Sequence, residues 1–160
     1  MIVDTPGQIE AFSQSASGQI ITQSFACTFP THSLYITDTV RCQNPNTFIS
    51  NMLYSLSILY KSKIPLCVVF NKIDIRDCKF AQEWMTDYDK FDEALSKEDN
   101  YLANLSRSMS LVLDEFYNLV PYCGLSATTG VGFEGLLDKM GGLRKEYFDV
   151  FLPELKRAAK

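Results

Sequence analysis

The sequence holds a single histidine, His32, and a single tryptophan, Trp84, among its 160 residues. One imidazole excludes a histidine-built metal centre and any chemistry that needs two. Five cysteines, Cys27, Cys42, Cys67, Cys78 and Cys123, show no C-x-x-C spacing, so neither a zinc ribbon nor a dithiol redox motif is written here. An odd, scattered set fits a reducing compartment, and no base stands at readable spacing from a thiol, which argues against thiol catalysis. Basic residues are outnumbered: 15 Lys and Arg against 19 Asp and Glu give a net charge of −4. With no basic cluster, the footprint of a direct nucleic-acid surface is missing. No apolar run approaches the ~18 residues of a membrane-spanning helix, and the opening Met-Ile-Val-Asp-Thr-Pro lacks the basic start of a secretory leader. The expectation is a cytoplasmic protein that meets neither nucleic acid nor membrane directly.

What is present is an ordinary globular balance, 46% hydrophobic and 21% charged, at the size of one domain. The stretch Pro65 to Asp74 organises it. Leu66 to Phe70 is an apolar run bounded by proline and by polar residues, which predicts a central strand buried on both faces. Asn71, Lys72 and Asp74 then fall just beyond its carboxyl end, where open α/β sheets bind ligands. Asp74 can accept from the ring N–H and the exocyclic amine of guanine together, a pair that adenine does not offer. Lys72 can lay its stem on the base, and Asn71 can hold neighbouring loops together. The plain alternative is a polar strand-end turn with a solvated lysine.

The other elements follow from periodicity. Met1 to Val3 read as the end of a strand that has lost its beginning. Asp4, followed three residues later by Gly7, is the pattern with which nucleoside triphosphatases hold magnesium through water and offer an N–H to a terminal phosphate. Helices are predicted over 10–27, with a break near Gly18, over 47–61, over the short stretches 80–85 and 88–96, and over 100–120. In the last of these Leu102, Leu105, Met109, Val112, Phe116 and Leu119 make the stripe, widened by Leu111 and Leu113. Strands are expected at 33–40 and at 122–125. From Asp74 to Ser126 the chain exceeds the ~30 residues of a βαβ unit, so 76–120 reads as a helical insertion. Seven acidic residues between Glu83 and Asp99 suit a solvated face or a partner surface. Ser126-Ala127 and the small residues after them let the backbone approach a ligand, with the Ala127 N–H available to the guanine carbonyl. A helix from Phe133 is expected to break at Gly141-Gly142, and the segment from Leu143 ends at Lys160 as if within a helix.

Asp4-Thr5-Pro6-Gly7-Gln8, Asn71-Lys72-Ile73-Asp74 and Ser126-Ala127, in that order, resemble the back half of a P-loop GTPase. The stretches at 4–10, 50–61 and 104–117 further resemble the GPN-loop GTPases over most of residues 2–140. That resemblance implies a three-layer P-loop NTPase-like α/β fold, with a mostly parallel sheet and helices on both faces. The chain would be the C-terminal portion of a single GTPase domain, incomplete at its N-terminus. The resemblance also implies GTP and GDP as ligands with Mg2+, and hydrolysis of GTP to GDP and phosphate. Asp4 would hold the magnesium through water and Gly7 would donate to the γ-phosphate. Gln8 and Glu10 would orient the attacking water, unless Gln8 is a solvated turn residue and Glu10 simply opens the next helix. Asn71, Lys72, Asp74, Ser126 and Ala127 would select guanine. Partners implied are a second copy or a related GPN-loop GTPase, and RNA polymerase II subunits in a role in assembly and nuclear import, with shuttling between cytoplasm and nucleus.

The sequence departs from that family in containing no G-x-x-x-x-G-K-[ST] and no Gly-Pro-Asn loop, the first of which cradles phosphates. The expectation is therefore part of a longer product that does not hydrolyse GTP alone, with a gap in mid-sheet where a strand is missing. A short natural product keeping part of the function is the alternative. A nucleotide-independent docking module acting through the insertion, with Leu105 and Met109 at its surface, is a further one.

Overall fold

The computed structural model describes residues 1–96 and 101–158. Its sheet has three parallel strands, β1 (Ser33–Asp38), β2 (Leu66–Asn71) and β3 (Tyr122–Leu125), in the order β1-β2-β3. β2 is the middle strand, and Leu66 to Phe70 are all buried, as their unbroken apolar run requires. The helices among the described residues are α1 (Ile9–Ser13), α2 (Ala16–Thr28), a 3-10 turn (Arg41–Gln43), α3 (Pro45–Ser62), α4 (Lys79–Thr86), α5 (Tyr88–Ser96), α6 (Tyr101–Leu119), α7 (Phe133–Glu146), a π-helical turn (Tyr147–Phe151) and α8 (Leu152–Ala158).

Two cores flank the sheet. On one face Val68 and Phe70 meet Phe48 and Met52 of α3, and the helices between β2 and β3 close over them through Met85, Phe91, Leu95, Leu113 and Phe116. On the other face Cys67, Val69, Cys123 and Leu125 pack under Leu136 and Leu143 of α7. This is the expected three-layer α/β arrangement. A third, smaller cluster joins Ala26 of α2 to Ile64, Tyr147 and Phe151, with the Tyr147 hydroxyl donating to the Ala26 carbonyl at 2.6 Å. Four of the five thiols, at Cys42, Cys67, Cys78 and Cys123, are buried in these layers, whereas Cys27 is exposed.

Several expectations are corrected by the structure. Met1 to Val3 form no strand and are exposed; nothing pairs with them. The three strands are contiguous, β1 directly on β2 and β2 on β3. β1 stops at Asp38, since Thr39 turns to donate to the Asn71 carbonyl. The helix expected from Thr47 starts two residues earlier: Asn44 caps it by accepting from the Thr47 N–H at 3.1 Å, and Pro45 fills the first turn, where a missing N–H costs nothing.

The break expected at Gly18 falls instead at Gln14-Ser15, where Ser15 caps α2 by accepting from the Gly18 N–H at 3.0 Å. Gly18 is required for closeness rather than flexibility, because a Cβ there would stand 1.9 Å from the Phe12 carbonyl oxygen. Gly141-Gly142 do not interrupt α7, which runs through them to Glu146 and loosens only at the π-helical turn. The start of the long helix at Asn100, the end of the acidic stretch at Glu98 and Asp99, and the Lys160 terminus lie outside the described residues, as do the side chains of Leu102, Leu111 and Val112. Of the remaining stripe, Leu113 and Phe116 are buried and Met109 packs at their margin, while Leu105 and Leu119 are exposed.

Candidate functional site

At the carboxyl ends of the strands, three loops are tied to one another. Asn71 is the centre of the tie: its Oδ1 accepts from the Lys72 N–H at 2.8 Å and from the Ala127 N–H at 3.1 Å, joining the loop after β2 to the loop after β3. The Ile73 N–H donates to the Leu125 carbonyl at 3.3 Å across the same junction. From the other side, the Thr39 N–H and hydroxyl both donate to the Asn71 carbonyl, at 3.1 and 2.6 Å. Lys72 reaches back to β1, its Nζ lying 2.7 Å from Asp38 Oδ2. The Lys72 hydrogen bond holds the Asp38 carboxyl below its ordinary range, helped by N–H donors from Arg41 and Val40. The pair therefore holds at and above ordinary carboxylate titration and is lost as pH falls through that depressed value.

Lys72 itself is left-handed, with φ 71°. For a residue with a Cβ that conformation costs about 1 kcal/mol, and it persists here because Asn71 and Asp38 hold it from both sides. Lys72 is exposed, so its stem lies open to a ligand between the loops. Asp74 follows in the turn closed by the Ile75 and Arg76 N–H groups on the Lys72 carbonyl. Its carboxylate is exposed and has no hydrogen-bond or ion-pair partner among the described residues.

The loop after β3 is built for tightness. Ser126 is fully buried; its N–H donates to the Val131 carbonyl at 2.8 Å, and its Oγ accepts from the Thr129 N–H at 3.2 Å. Gly130 and Gly132 close it with φ 80° and 89°. The Ala127 N–H, expected to face a base carbonyl, is held by Asn71 instead, so a ligand carbonyl would have to share or displace that bond.

The N-terminal candidates stand elsewhere. Thr5, Ile9 and Phe12 line a cavity of about 130 Å³ with Ser33, Leu34 and Leu66, the first residues of β1 and β2. The six residues of each strand span roughly 17 Å, which separates that cavity from the Asn71 loops. Asp4, Gly7, Gln8 and Glu10 are all exposed. Glu10 lies in the first turn of α1 and is near enough to Tyr35 to help raise its hydroxyl, which burial chiefly pushes to about 12. Ser13 of α1 hydrogen-bonds Tyr54 of α3 at 2.6 Å, and Lys61 donates to Gln14; these contacts hold α1 toward the amino ends of the strands. The structure thus brings together Asn71, Lys72, Asp74, Ser126 and Ala127, and does not bring Asp4, Gly7, Gln8 or Glu10 to them. Among the described residues no group of three His, Cys, Asp or Glu side chains is placed to hold a metal ion, and the Asp4 carboxylate stands exposed in its segment.

Sequence reasoning missed Asp38 and Thr39. Their signal was position: in a parallel sheet the polar end of one strand lies beside the polar end of the next, and Asp38 is in register with Asn71.

Comparison with known proteins decides the family. The model of a family described as "Conserved hypothetical ATP binding protein" matches residues 1–144. The chain is 49% identical over 160 residues to GPN-loop GTPase 1 of Dictyostelium discoideum, covering 100% of this chain and 40% of the relative. It is 48% identical to GPN-loop GTPase QQT2 of Arabidopsis thaliana over 97% of this chain and 41% of that one. The chain belongs to the GPN-loop GTPase family. This family member spans about two-fifths of the length of those curated relatives. Its fold is that of PAB0955, a GTPase solved in apo form from Pyrococcus abyssi, with a TM-score of 0.71 at 23% identity over 92% of this chain and 58% of that chain. That shared fold accounts for the parallel sheet with helices packed on it.

Proposed function

We propose that the tied loops are the guanine-reading part of a nucleotide site, and that the chain contributes this part to a GTPase of the GPN-loop family. The observation that carries the reading is the junction at Asn71. One side chain fixes the loops after β2 and β3 while leaving the Asp74 carboxylate free and the Lys72 stem open. A free carboxylate beside an exposed aliphatic stem suits a planar base with two adjacent N–H donors. Guanine has them; adenine, the base suggested by the family's description, does not.

The test is a titration with a fluorescent GDP analogue. Binding at micromolar strength corresponds to about −8 kcal/mol. Asp74→Asn is expected to weaken GDP at least tenfold, since an amide oxygen cannot accept as strongly from both donors. The same variant should gain affinity for XDP, whose carbonyl in place of the amine takes a hydrogen bond from the new amide. Equal loss for both nucleotides, or none for either, would overturn the assignment.

Hydrolysis needs a cradle for the phosphates, and these 160 residues contain no G-x-x-x-x-G-K-[ST]. The chain by itself is accordingly expected not to turn GTP over. Turnover by the purified chain that Asp4→Ala abolishes would refute this and would restore Asp4, Gln8 and Glu10 to the site, with magnesium on Asp4. The wider roles implied by the family resemblance belong to the same proposal: pairing with itself or a related GPN-loop GTPase, assembly and nuclear import of RNA polymerase II, and passage between cytoplasm and nucleus. They are supported by family membership alone.

A further inference from the structure

Asp38 and Thr39 close β1, and nothing in their sequence marks them for ligand binding. Yet both commit polar atoms to the end of β2: Thr39 to its last residue, Asn71, and Asp38 to the residue after it, Lys72. Thr39, fully buried, gives two donors to one carbonyl of Asn71. Asp38 divides its carboxylate: Oδ1 accepts from the Val40 N–H at 2.9 Å and the Arg41 N–H at 3.4 Å, and Oδ2 receives Lys72 Nζ at 2.7 Å. The carboxylate is thus anchored on its own turn before it takes the lysine.

A half-exposed ion pair of this kind adds little to stability, because solvent screens it and two side chains must be ordered to form it. What it does accomplish is geometric. It draws a flexible four-carbon stem into one path across the loop junction, on a backbone already committed to the left-handed region. A stem ordered in advance loses less freedom when a flat ligand settles on it.

We propose that Asp38, seated by Thr39, is a positioning residue of the base site: it holds the Lys72 ammonium so that the stem is laid out for the guanine ring before nucleotide arrives. The inference rests on the guanine reading above. Asp38 touches no base itself and acts through Lys72.

The experiment is a double-mutant cycle in GDP-analogue affinity. Asp38→Asn keeps an oxygen for the Val40 and Arg41 N–H groups but removes the charge that holds Lys72. Lys72→Met keeps an apolar stem but removes the ammonium. Each is expected to weaken binding about three- to tenfold, and the double variant should be no weaker than the weaker single one, because both break the same pair. The preference for guanine over xanthine, set by Asp74, should stay unchanged in both. Losses that multiply in the double variant would mean that Asp38 acts through its own turn, and would overturn the inference. Should Asp38→Asn fail to fold, Lys72→Met alone decides: binding equal to the wild type overturns the inference, and weakening of the stated size supports it. Binding that Asp74→Asn destroys and Asp38→Asn leaves intact would remove this inference only. A wild-type chain that binds no guanine nucleotide would remove the guanine reading, and this inference with it.

Discussion

Phe48→Ala is expected to cost the fold roughly 3–5 kcal/mol, the range for truncating a fully buried aromatic. Phe48 is completely inaccessible. Its ring lies 5.3 Å from that of Trp84, 6.0 Å from Phe91, 6.3 Å from Tyr117 and 6.5 Å from Phe70. It is the point at which α3, the helices α4 to α6 and the central strand meet, so the cavity left by truncation would be walled by rings from four different elements. Domains are stable by only about 5–15 kcal/mol, and at this chain length the loss corresponds to a fall of roughly 10 °C in melting temperature. Trp84, the sole tryptophan, stands edge-on to Phe48, and its emission reports the change directly. A loss below about 1 kcal/mol, with unchanged Trp84 emission, would show that the packing of α4 to α6 does not depend on this contact.

Gly132→Ala is expected to be nearly as costly, roughly 2–4 kcal/mol, and to damage the site as well. Gly132 has φ 89°, and a Cβ there would lie 2.2 Å from the Gly124 carbonyl oxygen and 2.9 Å from the Leu125 Cα. Both are backbone atoms of β3 and cannot swing aside. Relief requires the loop from 126 to 132 to lift, which pulls the Ala127 N–H from Asn71. Gly130→Ala is the control: its φ is 80°, but the space around it is open, so only the conformational cost of about 1 kcal/mol remains. Denaturant midpoints and GDP-analogue affinity for the two variants separate strain from contact. Equal effects at the two positions would show that the close approach to β3 is not what Gly132 provides.

The parts of this molecule that were legible in its sequence are those fixed by patterns of one or two spacings. An unbroken run of five apolar residues could only be the middle strand, and Asn71, Lys72 and Asp74 were placed by that strand alone. The long helix α6 was written in its stripe. What was not legible depended on neighbours. Met1 to Val3 have the composition of a strand, but a strand exists only where it pairs, and these residues make no ladder with the open edge of β1 or of β3. Without that tether Asp4, Gly7, Gln8 and Glu10 go with α1, whose position is set by Tyr54 and Lys61 of α3. Gly18 read as a weak point in a helix and is a contact point between two. Gly141 and Gly142 read as a break, but their helix is held by Leu136 and Leu143 on either side, and burial there outweighs the ~1 kcal/mol that each glycine costs. Asp38 was overlooked because its meaning lies in register with a residue 33 positions away.

The distribution of thiols gives the molecule a built-in reporter. Burial raises the Cys42 and Cys78 thiols; the neighbouring Cys123 thiol, then burial, raises Cys67, while Cys67 in turn lowers Cys123. All four lie inside the layers, with Cys27 alone at the surface. A bulky maleimide therefore meets one sulfur on the folded chain, and four more only where the sheet has opened. Because Cys67 and Cys123 sit between the sheet and α7, whereas Cys42 sits under α3, the order in which the remaining sulfurs take up label distinguishes lifting of α7 from loosening of the α3 side, without touching the loops tied at Asn71.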